Sequence, residues 1–196
     1  MLASESALTR KAALRQAALE RRDRLPADMR AAAAETIAAR PLPVSPGPET
    51  IVSAFSPIRS EINPMPLLRA FAKAGARLAL PTLVARGEPL LFREWTFGAE
   101  LKRGQWGIRE PTADAPEVHP DVLIVPLAAF DRRGYRIGYG AGYYDLTLNG
   151  LRAIKPITAI GIAFADQEID AVPALSHDAR LDLVVTEQDV IDCRGA

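Results

Sequence analysis

Positions 136 to 145 read Arg-Ile-Gly-Tyr-Gly-Ala-Gly-Tyr-Tyr-Asp, residue types suited to holding a polyphosphate. Gly138, Gly140 and Gly142 alternate with Tyr139 and Ala141, so the backbone can take positive φ and let another molecule approach its amides. Arg136 supplies a cation ahead of the glycines. Asp145 follows them with a carboxylate of the kind that holds Mg2+ beside phosphate oxygens. A turn that only redirects the chain would use the same glycines, and that alternative stays open. No Gly-Lys-Ser/Thr follows, so this is not a Walker A loop. Gly-x-Gly-x-Gly after a basic segment is not the dinucleotide fingerprint either.

Such a loop needs elements to aim it. Residues 122–125 are an unbroken apolar run ending at Pro126, the pattern of a strand covered on both faces. A polar break at 131–134 and the glycines come next, and residues 143–148 can form a helix that Asn149-Gly150 would stop. Strand, loop, helix brings loop amides and the positive end of a helix dipole to one spot. Upstream, residues 4–24 predict a helix capped by Ser4 or Ser6, with Leu8, Ala12 and Leu19 as a narrow apolar stripe. Lys11, Arg15 and Arg22 border that stripe and lean toward the protein body; long basic side chains running along an apolar seam would look the same. A second helix is predicted over 27–40, a proline-dense connector over 41–48, and strands over 50–55, 77–81, 89–95 and 157–164. A third helix spans 65–74, the stretch 97–111 reads as loop, and Asp182 begins the last strand. Alternating helices and strands imply an α/β fold, with a mainly parallel sheet of about six strands between helical layers.

The chain has 196 residues, of which 48% are hydrophobic, enough for one sizeable core, and positions 1–196 read as a single domain. Lys+Arg and Asp+Glu both number 24, so no net field recruits nucleic acid or an anionic membrane. Cys193 is the sole cysteine, which rules out an internal disulfide and fits a reducing cytoplasm. Glu5, Glu20 and Asp23 argue against reading the basic N-terminal stretch as a mitochondrial presequence. No stretch is apolar for long enough to cross a bilayer.

Val125-Pro126, Phe130-Asp131, Gly134 and the run from Arg136 through Ile137, Gly138, Tyr139, Gly140, Ala141, Gly142, Tyr143 and Tyr144 to Asp145 resemble the signature of the 5-formyltetrahydrofolate cyclo-ligase (5,10-methenyltetrahydrofolate synthetase) family. The resemblance extends from Lys11 to Glu187 and is dense only between Val125 and Asp145. It implies a three-layer Rossmann-like fold and ATP- and Mg2+-dependent closure of 5-formyltetrahydrofolate to 5,10-methenyltetrahydrofolate, by phosphorylation of the formyl oxygen and attack by N10. Phosphoryl transfer of this sort asks for placement and charge screening, so no Ser or Cys nucleophile is expected.

By the same resemblance, Lys11, Arg15 and the run from Arg136 to Tyr144 would bind the nucleotide, with Arg136 acting in catalysis. Ser56, Glu61, Trp106, Tyr144 and Arg15 would meet the folate, and Asp145 and Asp178 the metal. Lys11 and Arg15 are spaced to share one helix face. Glu61 can accept two parallel hydrogen bonds from an amino-pyrimidinone ring, and Trp106 offers an indole for stacking. Each also has a plainer use: Glu61 at a helix start, Trp106 as core under a loop, Asp178 as a turn acceptor, His177 as a surface residue. Whether Asp182 rather than Asp178 serves the metal stays open, as does the oligomeric state, for which a monomer is expected. Two other classes remain: a non-catalytic sensor of folate or nucleotide, and a nicotinamide-dependent reductase, which lacks the correctly spaced third glycine.

Overall fold

The computed structural model describes residues 2–195, apart from the side chains of residues 2–5 and Trp106. In chain order the elements are α1 (Leu2–Asp23), α2 (Ala27–Ala39), β1 (Ile51–Ser53), α3 (Met65–Lys73), β2 (Arg77–Thr82), β3 (Leu91–Glu94), β4 (Leu101–Arg103), β5 (Arg109–Pro111), β6 (Val122–Val125), β7 (Ala129–Phe130), β8 (Arg136–Ile137), α4 (Tyr143–Ile154), β9 (Thr158–Ile162), β10 (Leu183–Val185) and β11 (Val190–Asp192). Single 3-10 turns occupy Gln105–Gly107 and Ala165–Gln167.

The main sheet has seven strands in the order β11-β10-β9-β6-β1-β2-β3. Its five inner strands are parallel, and each edge strand is antiparallel to its neighbour. The side-chain period of two splits the apolar runs between the sheet's faces. Val122 and Ile124 pack with Ile37 of α2 and Leu68 of α3, whereas Leu123 and Val125 pack with Leu148 and Leu151 of α4. Two cores on one sheet make three layers, as the alternating helices and strands imply.

Chain order reverses between β1 and β6. From β1 the chain winds through α3 to β2; from β6 it winds through α4 to β9 on the other side. The carboxyl ends of β1 and β6 therefore diverge, leaving the crevice where open α/β sheets place ligands.

Several boundaries differ from the sequence reading, each for a physical reason. Helix α4 continues through Asn149-Gly150 to Ile154, because burying Leu148 and Leu151 offsets the modest cost of a glycine in a helix. Helix α1 begins at Leu2 and ends at Asp23, so positions 4 and 6 lie inside it rather than at its N-cap. Its expected stripe is also displaced: Leu8 is 57% exposed and Ala12 is exposed. The packed face instead carries Lys11, Leu14, Ala18 and Arg22, so a seam of mixed apolar and basic residues holds the helix. Residues 97–111, read as loop, contain the β4–β5 hairpin, which alternates too briefly to show a period. The seventh strand, β11, has only three residues and escaped notice for the same reason.

Candidate active site

A cavity of about 550 Å3 opens at the crevice. Phe55 beyond β1, Pro81 of β2 with Leu83 beyond it, and Pro126 beyond β6 reach it from the sheet; Leu90 and Ile108 add apolar wall. The run from Arg136 to Asp145 lines it as well, and α1 contributes Lys11 and Arg15. Ser56, Glu61 and His177 also line it.

The glycine loop enters α4 through Gly142, which caps the helix at φ 73°. Gly140 has φ 98°, and a Cβ there would come within 3.5 Å of the Arg15 guanidinium. A side chain at 140 would be strained by that φ, whereas its contact with the cation would be an ordinary one. Gly138 takes no positive φ, contrary to the expectation for all three glycines; its carbonyl accepts a 2.6 Å hydrogen bond from Arg15 Nε. Helix α1 thus clasps the loop from outside. Arg136 lies beneath, its side chain 4% exposed, with Nη2 2.9 Å from Asp145 Oδ1 and Nη1 donating to the Ala179 carbonyl. Burial lowers the pKa of this guanidinium, and the charges of Asp145 and Asp178 oppose that shift.

The two carboxylates expected at the metal approach the same cation from distant parts of the chain. Asp145 Oδ1 accepts from Arg136 and, at 3.0 Å, from the Ala179 amide. Asp178 Oδ2 pairs with Lys11 and accepts the Leu175 amide at 2.6 Å. Both of these bonds fall on one oxygen of each carboxylate; the other oxygen of Asp178 lies 3.9 Å from His177 Nε2. Among the described residues there is no group of three His, Cys, Asp or Glu that could form a protein cage for a metal. This donor set fits a Mg2+ that brings phosphate oxygens and water to one or two carboxylates. Asp182 is used elsewhere, binding Arg152 and the Ala159 amide through Oδ2.

On the sheet side, Glu61 Oε2 accepts the Ile58 amide at 2.8 Å, and the Tyr139 hydroxyl donates to the same carboxylate. Burial raises the Glu61 pKa; the Ile58 amide, Tyr139 and Arg22 pull it back down. The Tyr139 and Tyr144 phenols are driven well above their usual range, chiefly by burial. Ser56 Oγ donates to the Arg109 carbonyl at 2.7 Å, tying the loop after β1 to β5. Tyr143 and Tyr144 both line the cavity. The expected stacking role of Trp106 concerns a side chain outside the described residues; its backbone lies in the 3-10 turn Gln105–Gly107.

Sequence reasoning gave Arg22 no specific task, although its spacing from Lys11 and Arg15 puts it on their helix face. It is 1% exposed. Its Nε donates to Ser60 Oγ at 3.0 Å, its Nη1 donates to the Tyr139 hydroxyl, and the Ser60 hydroxyl in turn donates to Asp23 Oδ1. A single buried guanidinium therefore ties α1, the loop after β1 and the glycine loop together.

A model of the 5-formyltetrahydrofolate cyclo-ligase family matches residues 7–187. The chain is 36% identical over 145 residues to the 5-formyltetrahydrofolate cyclo-ligase of Escherichia coli strain K12, covering 71% of this chain and 79% of that one. It is 35% identical over 145 residues to the enzyme of the same name from Mycolicibacterium smegmatis, covering 69% and 72%. Among solved structures, the Aquifex aeolicus 5,10-methenyltetrahydrofolate synthetase aligns with TM-score 0.76 at 28% identity over 94% of this chain and 93% of that one. A Mycoplasma pneumoniae 5,10-methenyltetrahydrofolate synthetase aligns with TM-score 0.69 at 22% identity, a likeness of fold, over 90% and 98%.

Proposed function

Because this chain belongs to the 5-formyltetrahydrofolate cyclo-ligase family and is a ligase, we propose that it drives ring closure with ATP and Mg2+ in the cavity between β1 and β6. The observation that carries this reading is that one cavity joins two unlike walls. One is apolar with a carboxylate at Glu61; the other has glycine amides, the N-terminus of α4 and the cations Lys11, Arg15 and Arg136.

In this reading the flat pterin lies against Phe55, Leu83 and Ile108, with its amino-pyrimidinone edge on Glu61, and the triphosphate lies on the glycine loop. Arg15, fixed to Gly138, orients the loop. Arg136 holds positive charge where the phosphoryl group passes, and Asp145 keeps that guanidinium aimed. Catalysis by placement and charge screening suits phosphoryl transfer, which needs little covalent help from protein. Asp145 and Asp178 would hold the Mg2+, which neutralises phosphate charge when bound. Tyr144 touches the folate at the junction of the two walls, and Ser56 keeps the β1 loop closed over it.

The test is an absorbance assay for methenyl product with purified protein, 5-formyltetrahydrofolate and Mg2+, with and without ATP. Product forming only with ATP is expected. Product formed equally without ATP, or tight folate binding with no product under any condition, would overturn the reading.

A further inference from the structure

Glu110 is a buried carboxylate in the cavity wall with no task so far. It is 7% exposed and lines the cavity beside Ile108 and Leu83. The carboxylate lies over Gly104, where a Cβ would sit 2.4 Å from the Glu110 carboxyl carbon, so a larger residue at 104 would displace it. Among the described residues, its carboxylate meets the Leu83 amide at a long 3.3 Å and Lys102 Nζ at 3.6 Å. Lys102 faces it across the β4–β5 hairpin, and the lysine side chain is 45% exposed. Asp131 shows what a structural buried carboxylate looks like here. It is 0% exposed and takes the Arg133 guanidinium and the amides of Arg133, Tyr135 and Val172. Glu61, the other carboxylate on the folate side, already shares its charge with Arg22 and Tyr139. Glu110 is thus a cradled carboxylate, thinly compensated, in a wall that faces the cavity.

On the reading above, the chemistry needs such a group. The formyl oxygen takes the γ-phosphoryl group and ADP leaves. N10 then attacks the formyl carbon and gives its proton to solvent; the C–O bond breaks and its electron pair departs with phosphate. The N5–CH–N10 bridge that remains carries one positive charge shared by two nitrogens, where the substrate's N5-formyl group carried none. We infer that Glu110 is a catalytic carboxylate that faces this developing amidinium and stabilises it, a charge interaction absent from the ground state. A contact that strengthens as the reaction proceeds lowers the barrier, and against an apolar wall it is strong.

Glu110→Gln keeps the shape and an acceptor for the Leu83 amide while removing the charge. It should lower kcat about tenfold and weaken product inhibition by the methenyl compound about tenfold, with the KM for 5-formyltetrahydrofolate within about threefold of the parent. Glu110→Asp should recover part of the loss. Lys102→Met removes the competing cation from an exposed side chain and should tighten methenyl binding without changing formyl binding, which keeps the test available if the Gln variant does not fold. Substrate and product affinities moving in parallel in Glu110→Gln, or unchanged methenyl affinity in Lys102→Met, would overturn the inference. Absence of methenyl product from the parent protein would instead reject the proposed function.

Discussion

The carboxylates of the cavity separate by what each already touches. Asp145 has one oxygen committed to Arg136 and Ala179. Asp145→Asn should therefore keep the fold, lower Mg2+-dependent turnover roughly 10- to 100-fold and raise the Mg2+ needed for half-maximal rate, with folate affinity little changed. Equal turnover in the two proteins, across a Mg2+ titration, would take Asp145 out of the metal site. Glu61 is pushed above its ordinary 4.5, first by burial. The folded protein then holds a proton where the unfolded chain has released it. Stability due to this group is therefore full below 4.5 and lost as pH rises through the folded value. Folate anchoring runs the other way, since it needs the carboxylate. KM for 5-formyltetrahydrofolate should rise on acidification at a pH above 4.5, and Glu61→Gln should erase that limb while weakening affinity about tenfold; a Gln variant that kept the limb would assign it to another group. The Arg136–Asp145 run was legible because its residue types are rare in combination. Arg22 and Glu110 were not, because one reads as a snorkelling side chain and the other falls in a stretch that reads as loop until burial is known.

Elements with a long period could be read, and short ones could not. Strands 122–125 and 157–164 and the first three helices lie near their expected places because burial on both faces, or a proline, marks them. The β4–β5 hairpin and β11 have strands of three residues each, too few for alternation to show. Helix α4 shows a local stop signal overridden by packing: Asn149-Gly150 suits a C-terminus, yet the helix continues because Leu151 is needed against the sheet. Gly150 is exposed, and a Cβ there meets nothing within 4 Å. Gly150→Ala should stabilise the protein by about 0.5–1 kcal/mol, measured as a higher denaturant midpoint at unchanged slope; a lower midpoint would mean that the glycine is doing something the helix does not reveal.

At the scale of the molecule, the site belongs to the topology. Parallel winding away from β1 and β6 opens the crevice, and α1 closes its outer side. No helix among the described residues is long and apolar enough to cross a membrane. Since ligands in the cavity would touch α1, the sheet ends, the β4–β5 hairpin and α4 together, their binding should stabilise the whole chain. Saturation at about 100 times Kd is worth about 2.7 kcal/mol, so nucleotide or folate should each raise the melting temperature by roughly 5–10 °C. A ligand that left the melt unshifted at that saturation would not be binding the folded protein in preference to the unfolded chain. The Lys11–Asp178 pair joins residues 167 positions apart, one in the first helix and the other close to the penultimate strand. A nascent chain still threading through the ribosome holds only the lysine, so the cavity acquires its full set of charges at the end of synthesis. Splitting the gene between these two positions would give two inert halves whose regained turnover, on mixing, counts reassembled molecules.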